Sequence, residues 1–541
     1  MSADPVPSKI PSFVLPGLLV FLSILIYLPA LTVEFGFHND YSMLLADRNN
    51  WLGFFESKHI LMVGRAVGAV LATLQCWTMN RIADFTFWRL LSLGCVLLFV
   101  ILLARFLKKR CSLEGPWAWL AGFLVMLLPV TQMSVLWVAH FMPGSFNILL
   151  ATGSYLLFEK ARGDGRLIGA AVPPVRSIPL LALAFVLFVA ALFTYPPTAL
   201  TVFIFTFAVV LFSPSARWPQ ARRTFIGDAV FWGLGMLAYR IIDRMIVYPW
   251  GVLDAKFHIP TQVEYNMRLT SHWAAKFQLL LNSLLDAAAG TWHLLLGEVG
   301  AGILLFIVSW GLFECFSRKQ SACGSADLRI FWEKAGMLAA LLFLANLPSF
   351  LAEGCFKVLG YRVLWPASVM LVLVLGASLR YLNRLEEENP PPEGPPGGRT
   401  VPYAILALVV IFALLAARNI GDSTRNAQLE LRFVRAQLNA LNISRVTQVI
   451  VIPLPKGATL IGRNLPYEFG YMITEFQHVA PIILQHLKAR IAGEKQLSLS
   501  MIDPDTRLAI KIQPTDFVIN LNQMREDVVL ANPKPAAPAQ P

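Results

Sequence analysis

Charged residues are scarce in this chain. They make up 14% of its 541 residues, whereas 56% are hydrophobic and the mean hydropathy is +0.60. Soluble domains carry roughly 25% charged residues, so this chain has too few to cover a water-exposed surface. The composition excludes an ordinary soluble protein and predicts an integral membrane protein, with lipid as its solvent.

Several other absences narrow the function. The six cysteines form no CxxC pair and no other metal-ligand spacing, so a cysteine-ligated metal centre is not expected. No Gly-rich signature follows a predicted strand, so a Rossmann-type nucleotide site is not expected. The net charge of +12 is split into short clusters between apolar stretches, a pattern typical of cytoplasmic loops rather than of nucleic-acid binding. No internal repeat is evident.

Apolar stretches of about 20 residues predict about eleven transmembrane helices. They begin near Phe13, Phe87, Trp117, Phe141, Ile178, Thr198, Phe225, Val299, Phe331, Val363 and Val401. Two further stretches, 63–83 and 274–296, are long enough to span but contain several polar residues. All basic clusters fall on the cytoplasmic side only if neither stretch spans, so both are interpreted as interfacial helices in outer loops.

This topology predicts a multi-pass membrane protein with a cytoplasmic N-terminus and a retained first helix. Residues 34–85 then form a large outer loop. Residues 1–420 make up the transmembrane domain, and residues 421–531 form a small α/β domain on the outer side, followed by a disordered tail at 532–541. Within the small domain, 422–441 and 479–492 are predicted helices. The predicted strands are 446–453, 497–502, 508–512 and 517–521.

The most informative polar segment follows the first helix and reads FGFHNDY, residues 35–41. Asp40 here is expected just outside the bilayer, at the mouth of the helix bundle. One hypothesis is a catalytic carboxylate, flanked by His38 and Tyr41. The alternative is an N-cap of the next helix, since Asp is favoured there.

Other candidate residues are expected on the same face of the membrane. Arg65 lies on an apolar interfacial helix, where it either has an anionic partner or snorkels to lipid phosphate. Glu353 and Arg362 lie at the ends of late helices, as site residues or as interface anchors. Tyr195 belongs to a tight Pro-containing turn, and His140 lies in a neighbouring outer loop; both have structural alternatives.

Together these motifs resemble the GT-C superfamily of membrane glycosyltransferases, and most of all the bacterial family that includes the O-antigen-modifying glucosyltransferases. The resemblance rests on an acidic motif at 38–41, a Gly-Arg pair at 64–65 and the helix opening at 82–91. The Tyr-Pro turn at 195–196 and the late Tyr-Arg pair at 361–362 also match. As architecture, the resemblance covers roughly residues 13–420.

The resemblance implies an inverting transfer of a sugar from a polyprenyl-phosphate donor to a glycan, lipid or protein acceptor. It places this transfer, and the C-terminal domain, on the periplasmic side of a bacterial cytoplasmic membrane. It implies that Asp40 is the general base and that Arg65 and Arg362 bind the donor phosphate. His38, Tyr41, His140, Tyr195 and Glu353 would shape the pocket. Many relatives carry paired acids where this chain has Asn39-Asp40, so no metal ligand set is assigned and the need for a divalent metal stays open.

Two other functions stay open on the sequence. A lipid-linked sugar flippase would show ionisable residues near the membrane midplane and paired broken helices. A non-catalytic assembly protein would keep the architecture but tolerate the loss of Asp40, Arg65 and Arg362.

Overall fold

The computed structural model describes residues 14–36, 38–45, 65–163, 177–247, 325–347, 364–388, 400–441, 446, 448–452, 498–501 and 516–520, with single positions at 274, 277, 278, 484 and 487. These residues form a helical bundle and a small three-stranded sheet. Predictions for the span near Val299 and the strand 508–512 lie outside the described residues, as do most positions of the stretches 274–296 and 479–492.

The helices are, in chain order, α1 (Val14–Thr32), α2 (Ala66–Trp77), α3 (Asp84–Arg110), α4 (Gly115–Leu127), α5 (Pro129–Leu136), α6 (Asn147–Arg162), α7 (Ile178–Thr194), α8 (Pro196–Ala199), α9 (Val202–Phe212), α10 (Trp218–Ile242), α11 (Ser325–Ala345), α12 (Trp365–Glu388) and α13 (Thr400–Ala440). Short 3₁₀ helices cover His38–Leu45, Val138–His140 and Ser215–Arg217, and π-helical turns cover Met142–Phe146 and Asp243–Val247.

Six helical segments of the described chain are long and apolar enough to cross a membrane. They are Val14–Thr32, Asp84–Arg110, Val138–Arg162, Ser215–Met245, Trp365–Arg384 and Val401–Ala440. Leucine, isoleucine, valine and phenylalanine side chains on α1, α3, α7, α10 and α13 are exposed, as expected of surfaces that face lipid. The chain is therefore a multi-pass membrane protein, while the total of eleven spans stays a prediction.

A seventh apolar segment is sharply bent, as in a broken span or a re-entrant loop. The pair α4 and α5 bends by 59° at Leu128, immediately before Pro129. Proline supplies no N–H and its ring clashes with the preceding turn, so the carbonyls around the break lose their helical partners.

Polar side chains satisfy the carbonyls that the break exposes. Thr131 donates to Val125 O at 2.6 Å, Tyr27 of α1 donates to Met126 O at 2.8 Å, and Gln132 donates to Leu127 O at 2.9 Å. Asn419 of α13 in turn donates to the side-chain oxygen of Gln132. These bonds hold the broken span against α1 and α13, as required where water is excluded.

The helix α2 does not cross the bundle. Its 12 residues extend about 18 Å, well short of the ~30 Å hydrocarbon core. The segment that precedes α2 also contacts the helix that follows it, because the Arg89 guanidinium of α3 donates a hydrogen bond to Phe35 O at 2.8 Å. The end of α1 and the start of α3 therefore lie at one end of the bundle, which we call the site end.

The opposite end, which we call the basic end, collects the basic clusters of the described helices. Arg110, at the end of α3, pairs with Glu159 of α6, and Arg162 pairs with both Glu159 and the buried Asp228 of α10. Glu114, just after α3 in the chain, forms ion pairs with Arg380 and Arg384 of α12, at 3.0 and 2.8 Å. The basic clusters and the site end are thus separated by the length of α3.

The helix α13 runs uninterrupted for 41 residues, about 61 Å. It joins the last predicted span to the predicted amphipathic helix 422–441 and so passes straight through the expected domain boundary at 420. Arg435, near its end, makes two bonds to the Glu34 carboxylate at 3.1 and 3.0 Å, just beyond α1.

Three of the predicted strands of the small domain are present. The strands β1 (Gln448–Ile452), β2 (Ser498–Met501) and β3 (Asp516–Asn520) form one sheet in the order β2-β1-β3. Both pairings are parallel, with Val449 opposite Leu499 on one side and Phe517 on the other. The central strand is the most apolar, as expected of a parallel strand that is buried on both faces.

Candidate functional site at the end of the helix bundle

Asp40 forms a fully buried ion pair. It lies in the 3₁₀ helix after α1, and its carboxylate is 3.8 Å from the Arg89 guanidinium in the second turn of α3. Both side chains are 0% exposed. The other carboxylate oxygen accepts a hydrogen bond from Ala139 N at 2.7 Å. These partners are far away in sequence, so Asp40 connects three segments of the chain.

Arg89 completes this junction. Its Nε donates to Leu136 O at 3.0 Å, and Nη2 donates to Phe35 O at 2.8 Å. The guanidinium carbon also lies 3.5 Å from the centre of the Phe35 ring, a cation–π contact. One side chain thus fixes the loop after α1 against the end of α5.

Tyr41 is held by a tight local turn. Its hydroxyl accepts a hydrogen bond from Gly36 N at 2.8 Å, and its ring packs edge-on against Phe85. A Cβ on Gly36 would lie 2.3 Å from the Tyr41 ring, so only glycine fits there. Burial, and next the nearby Glu430 carboxylate, raise the pKa of the Tyr41 phenol. Tyr41 therefore stays protonated and acts as a neutral wall of the site.

Arg65 leads into a row of aromatic rings. Its guanidinium carbon lies 4.5 Å from the centre of the Tyr195 ring, and that ring is 5.6 Å from His140 at a near-perpendicular angle. His140 stacks on Trp137 at 5.5 Å. Because the backbone N–H of Ala139, next to His140 in the chain, binds Asp40, this row extends from Arg65 to the neighbourhood of the buried ion pair.

The Tyr-Pro turn between α7 and α8 is positioned by Asn147. The Asn147 amide donates to Tyr195 O and to the Thr198 hydroxyl, both at 2.9 Å. Thr198 in turn donates to Pro143 O at 2.5 Å. Asn147 Oδ1 has no hydrogen-bond partner in the described part of the chain. This network holds the Tyr195 ring between Arg65 and His140.

Comparisons with known proteins give only a distant likeness. No protein-family model and no curated protein matches the sequence. Among solved structures, the chain is similar to the oligosaccharyltransferase AglB of Archaeoglobus fulgidus in complex with an inhibitory peptide and a dolichol-phosphate. The identity is 12% and the TM-score 0.39, over 82% of this chain and 63% of that one.

The Archaeoglobus fulgidus oligosaccharyltransferase tethered to an acceptor peptide gives 11% identity and a TM-score of 0.41, over 92% of this chain and 64% of that one. Its apo form gives 11% and 0.40, over 93% and 66%. The chain thus spans less than two thirds of the length of the structures it matches. The proposed function therefore rests on the residues of this chain.

The structure brings five of the predicted site residues to the site end. They are Asp40, Tyr41, Arg65, His140 and Tyr195. The side chain of His38 lies outside the described residues, as do Glu353 and Arg362. Their membership of the site stays a prediction.

The sequence did not single out Arg89 as a site residue. It stood only within the segment that opens the second span. An arginine inside an apolar 27-residue helix is costly unless it is paired, and this was the available signal. Its presence also bears on metal binding, because Asp40 faces a guanidinium and an N–H donor. Within the described residues this donor set does not fit a divalent cation.

Proposed function

We propose that this protein is a GT-C type glycosyltransferase that moves a sugar from a polyprenyl-phosphate donor to an acceptor at the site end of the bundle. One observation carries the proposal. Asp40, Arg65 and His140 come from three separate segments, were selected from the sequence for chemical reasons, and lie together opposite the basic end.

The surroundings of Arg65 suit a lipid-borne donor. Val70, Leu74 and Trp77 follow one another on one face of α2, and each is between 46% and 49% exposed. This exposed apolar face could pack against an isoprenoid chain, and the Arg65 guanidinium at its start could bind the phosphate of the same lipid. In the proposal, Arg65 and Arg362 bind the phosphate as the polyprenyl phosphate leaves, and so stabilise its developing charge.

The proposed reaction requires one base. The acceptor hydroxyl attacks the anomeric carbon, the bond from that carbon to the phosphate oxygen breaks, and Asp40 takes the hydroxyl proton. An attack from the face opposite the phosphate inverts the anomeric centre. Because Asp40 is 0% exposed here, the acceptor must reach it in a conformation in which the 3₁₀ helix His38–Leu45 has opened.

Orientation follows the same proposal. The positive-inside rule assigns the basic end to the cytoplasm and the site end to the outer face. In a bacterial cytoplasmic membrane that face is periplasmic, where no nucleotide sugar is available and a lipid-linked donor is needed. Modification of a cell-surface glycan such as O-antigen is the corresponding role.

Sugar transfer by the purified protein tests the proposal. The assay supplies radiolabelled polyprenyl-phosphate sugars and a membrane glycan extract, and counts label in the acceptor. Asp40→Asn is expected to lose at least about 100-fold in rate, the usual share of a general base. Asp84→Asn is the matched control, since Asp84 only caps the N–H groups of Asn80 and Arg81 at the same end. Undiminished transfer by Asp40→Asn would contradict the assignment.

One observation favours a flippase as the second candidate. The break between α4 and α5 places the hydrogen-bonded pair Gln132 and Asn419 inside the bundle, where a transporter would carry polar groups. Proteoliposomes with a fluorescent polyprenyl-phosphate sugar distinguish the two functions. A flippase moves the label between leaflets with no acceptor present, whereas the proposed enzyme leaves it in place.

A further inference from the structure

A line of buried polar side chains runs along α13. Asn419, Ser423, Asn426 and Glu430 follow one another at spacings of four, three and four residues, so they lie on one face of the helix. They are exposed by 0%, 2%, 5% and 1%. We call these four residues the polar stripe. Such residues are seldom buried without a role, because each needs a partner away from water.

The polar stripe connects the broken span to the candidate site. At one end Asn419 donates to Gln132 of α5. At the other end Glu430 lies within electrostatic range of Tyr41, the neighbour of Asp40. The stripe rises about 16 Å between these points. The chain from Gln132 to Ala139, whose N–H binds Asp40, runs between the same two regions.

Some polar atoms on this part of α13 have no hydrogen-bond partner among the described residues. Asn419 Oδ1 and Ser423 Oγ are buried without a hydrogen bond anywhere in the described chain, and so is Oγ1 of the adjacent Thr424. A buried hydroxyl without a partner destabilises the fold, and alanine at that position would avoid the cost. Within the described residues, no structural role accounts for Ser423.

We infer that the polar stripe is the subsite that binds the hydroxyl groups of the donor sugar, next to the Asp40–Arg89 pair. This inference rests on the proposed glycosyltransferase function. The side-chain amides and hydroxyls supply both donors and acceptors, which a polyhydroxylated ring needs. The Glu430 carboxylate accepts from two neighbouring sugar hydroxyls, while Arg65 binds the phosphate of the same lipid. The polar stripe thus sets the specificity for the sugar, and Arg65 binds the phosphate that all such donors share.

Binding of two kinds of lipid tests the inference. The full-length protein in detergent is titrated with farnesyl-phosphate-linked glucose, galactose, mannose and N-acetylglucosamine, and separately with farnesyl phosphate. Ser423→Ala is expected to weaken the best sugar lipid by about 3- to 10-fold, the effect of one neutral hydrogen bond. Farnesyl phosphate is expected to bind within twofold of wild type, and the melting temperature is not expected to fall.

Two further variants keep the test decisive. Glu430→Gln is expected to weaken the same sugar lipid by about 10- to 100-fold, with farnesyl phosphate again unaffected. Ser154→Ala is the matched control, because the buried Ser154 hydroxyl already donates to Ala184 O at 2.6 Å. It is expected to lower the melting temperature without changing either affinity.

The outcomes separate the inference from the function on which it rests. If wild type prefers a sugar lipid and the two stripe variants bind both lipid classes as wild type does, the subsite is refuted and the function stands. Equal weakening of both classes by the stripe variants also refutes the subsite. If wild type binds none of these lipids, the proposed function fails and the subsite with it.

Discussion

The Asp40–Arg89 ion pair gives the sharpest prediction on stability. At 3.8 Å its Coulomb energy is about 4 kcal/mol at an effective dielectric constant near 20. Arg89→Met leaves the buried Asp40 carboxylate unpaired and frees two backbone carbonyls, so we expect it to lower the free energy of unfolding by about 3–5 kcal/mol. The measurement is unfolding by sodium dodecyl sulfate in dodecyl maltoside micelles, followed by circular dichroism.

A double-mutant cycle isolates the pair itself. Asp40→Asn combined with Arg89→Met should cost at least about 2 kcal/mol less than the sum of the single variants, since the double variant leaves neither charge of this pair buried alone. Arg329→Met is the control, because the Arg329–Glu333 pair is exposed and should be worth less than about 1 kcal/mol. Single effects that add to within about 0.5 kcal/mol would refute the account of the buried junction.

Three further predictions concern packing, pH and reactivity. Gly68→Ala should lower the free energy of unfolding by about 1–3 kcal/mol, because its Cβ would lie 2.6 Å from a backbone oxygen of α7. Gly94→Ala is the control, because its Cβ would meet nothing within 4 Å and should not destabilise the protein. Detergent unfolding of both variants checks this. Hydrogen bonds from Arg380 and Arg384 lower the pKa of Glu114 below its ordinary 4.5. The small contribution of its carboxylate to stability is therefore present above pH 4.5 and lost as the pH falls through the lowered pKa. Glu114→Gln should melt at a lower temperature than wild type at about pH 7 and at the same temperature at about pH 3. Burial, and next a nearby carboxylate, raise the pKa of the Cys111 thiol to about 12. Maleimide should therefore label Cys111 at about pH 8 only after the protein is unfolded. Labelling of the native protein at the rate of a free thiol would contradict this.

Much of the architecture was predictable because the membrane restricts the chain to apolar helices. One difficult segment was 63–83, where composition alone allowed a span. The arrangement of basic clusters indicated that it does not cross, and the 12-residue α2 with the contact from Arg89 to Phe35 O agrees. The continuous helix α13 was harder to foresee. Its polar residues near 419–430 suggested a new domain; these residues are buried, and the helix continues through them without a break.

The site was predictable only as a set of residues on one face. Local patterns selected Asp40, Arg65, His140 and Tyr195, since each was an unusual polar or aromatic residue at a helix end. The partners could not be predicted in the same way, because ion pairing between residues 49 positions apart is a property of the tertiary fold. Glu430 was missed for the same reason, as it lies in a segment that the sequence assigned to another domain.

A structure with a donor analogue bound tests the central claim most directly. The protein would be imaged by electron cryo-microscopy with a non-transferable farnesyl phosphonate sugar. The account predicts the phosphonate at Arg65 and Arg362, the sugar against the polar stripe of α13, and Asp40 exposed to its anomeric carbon. A lipid bound at the basic end, or an Asp40 still sealed behind Arg89 with the sugar elsewhere, would contradict it.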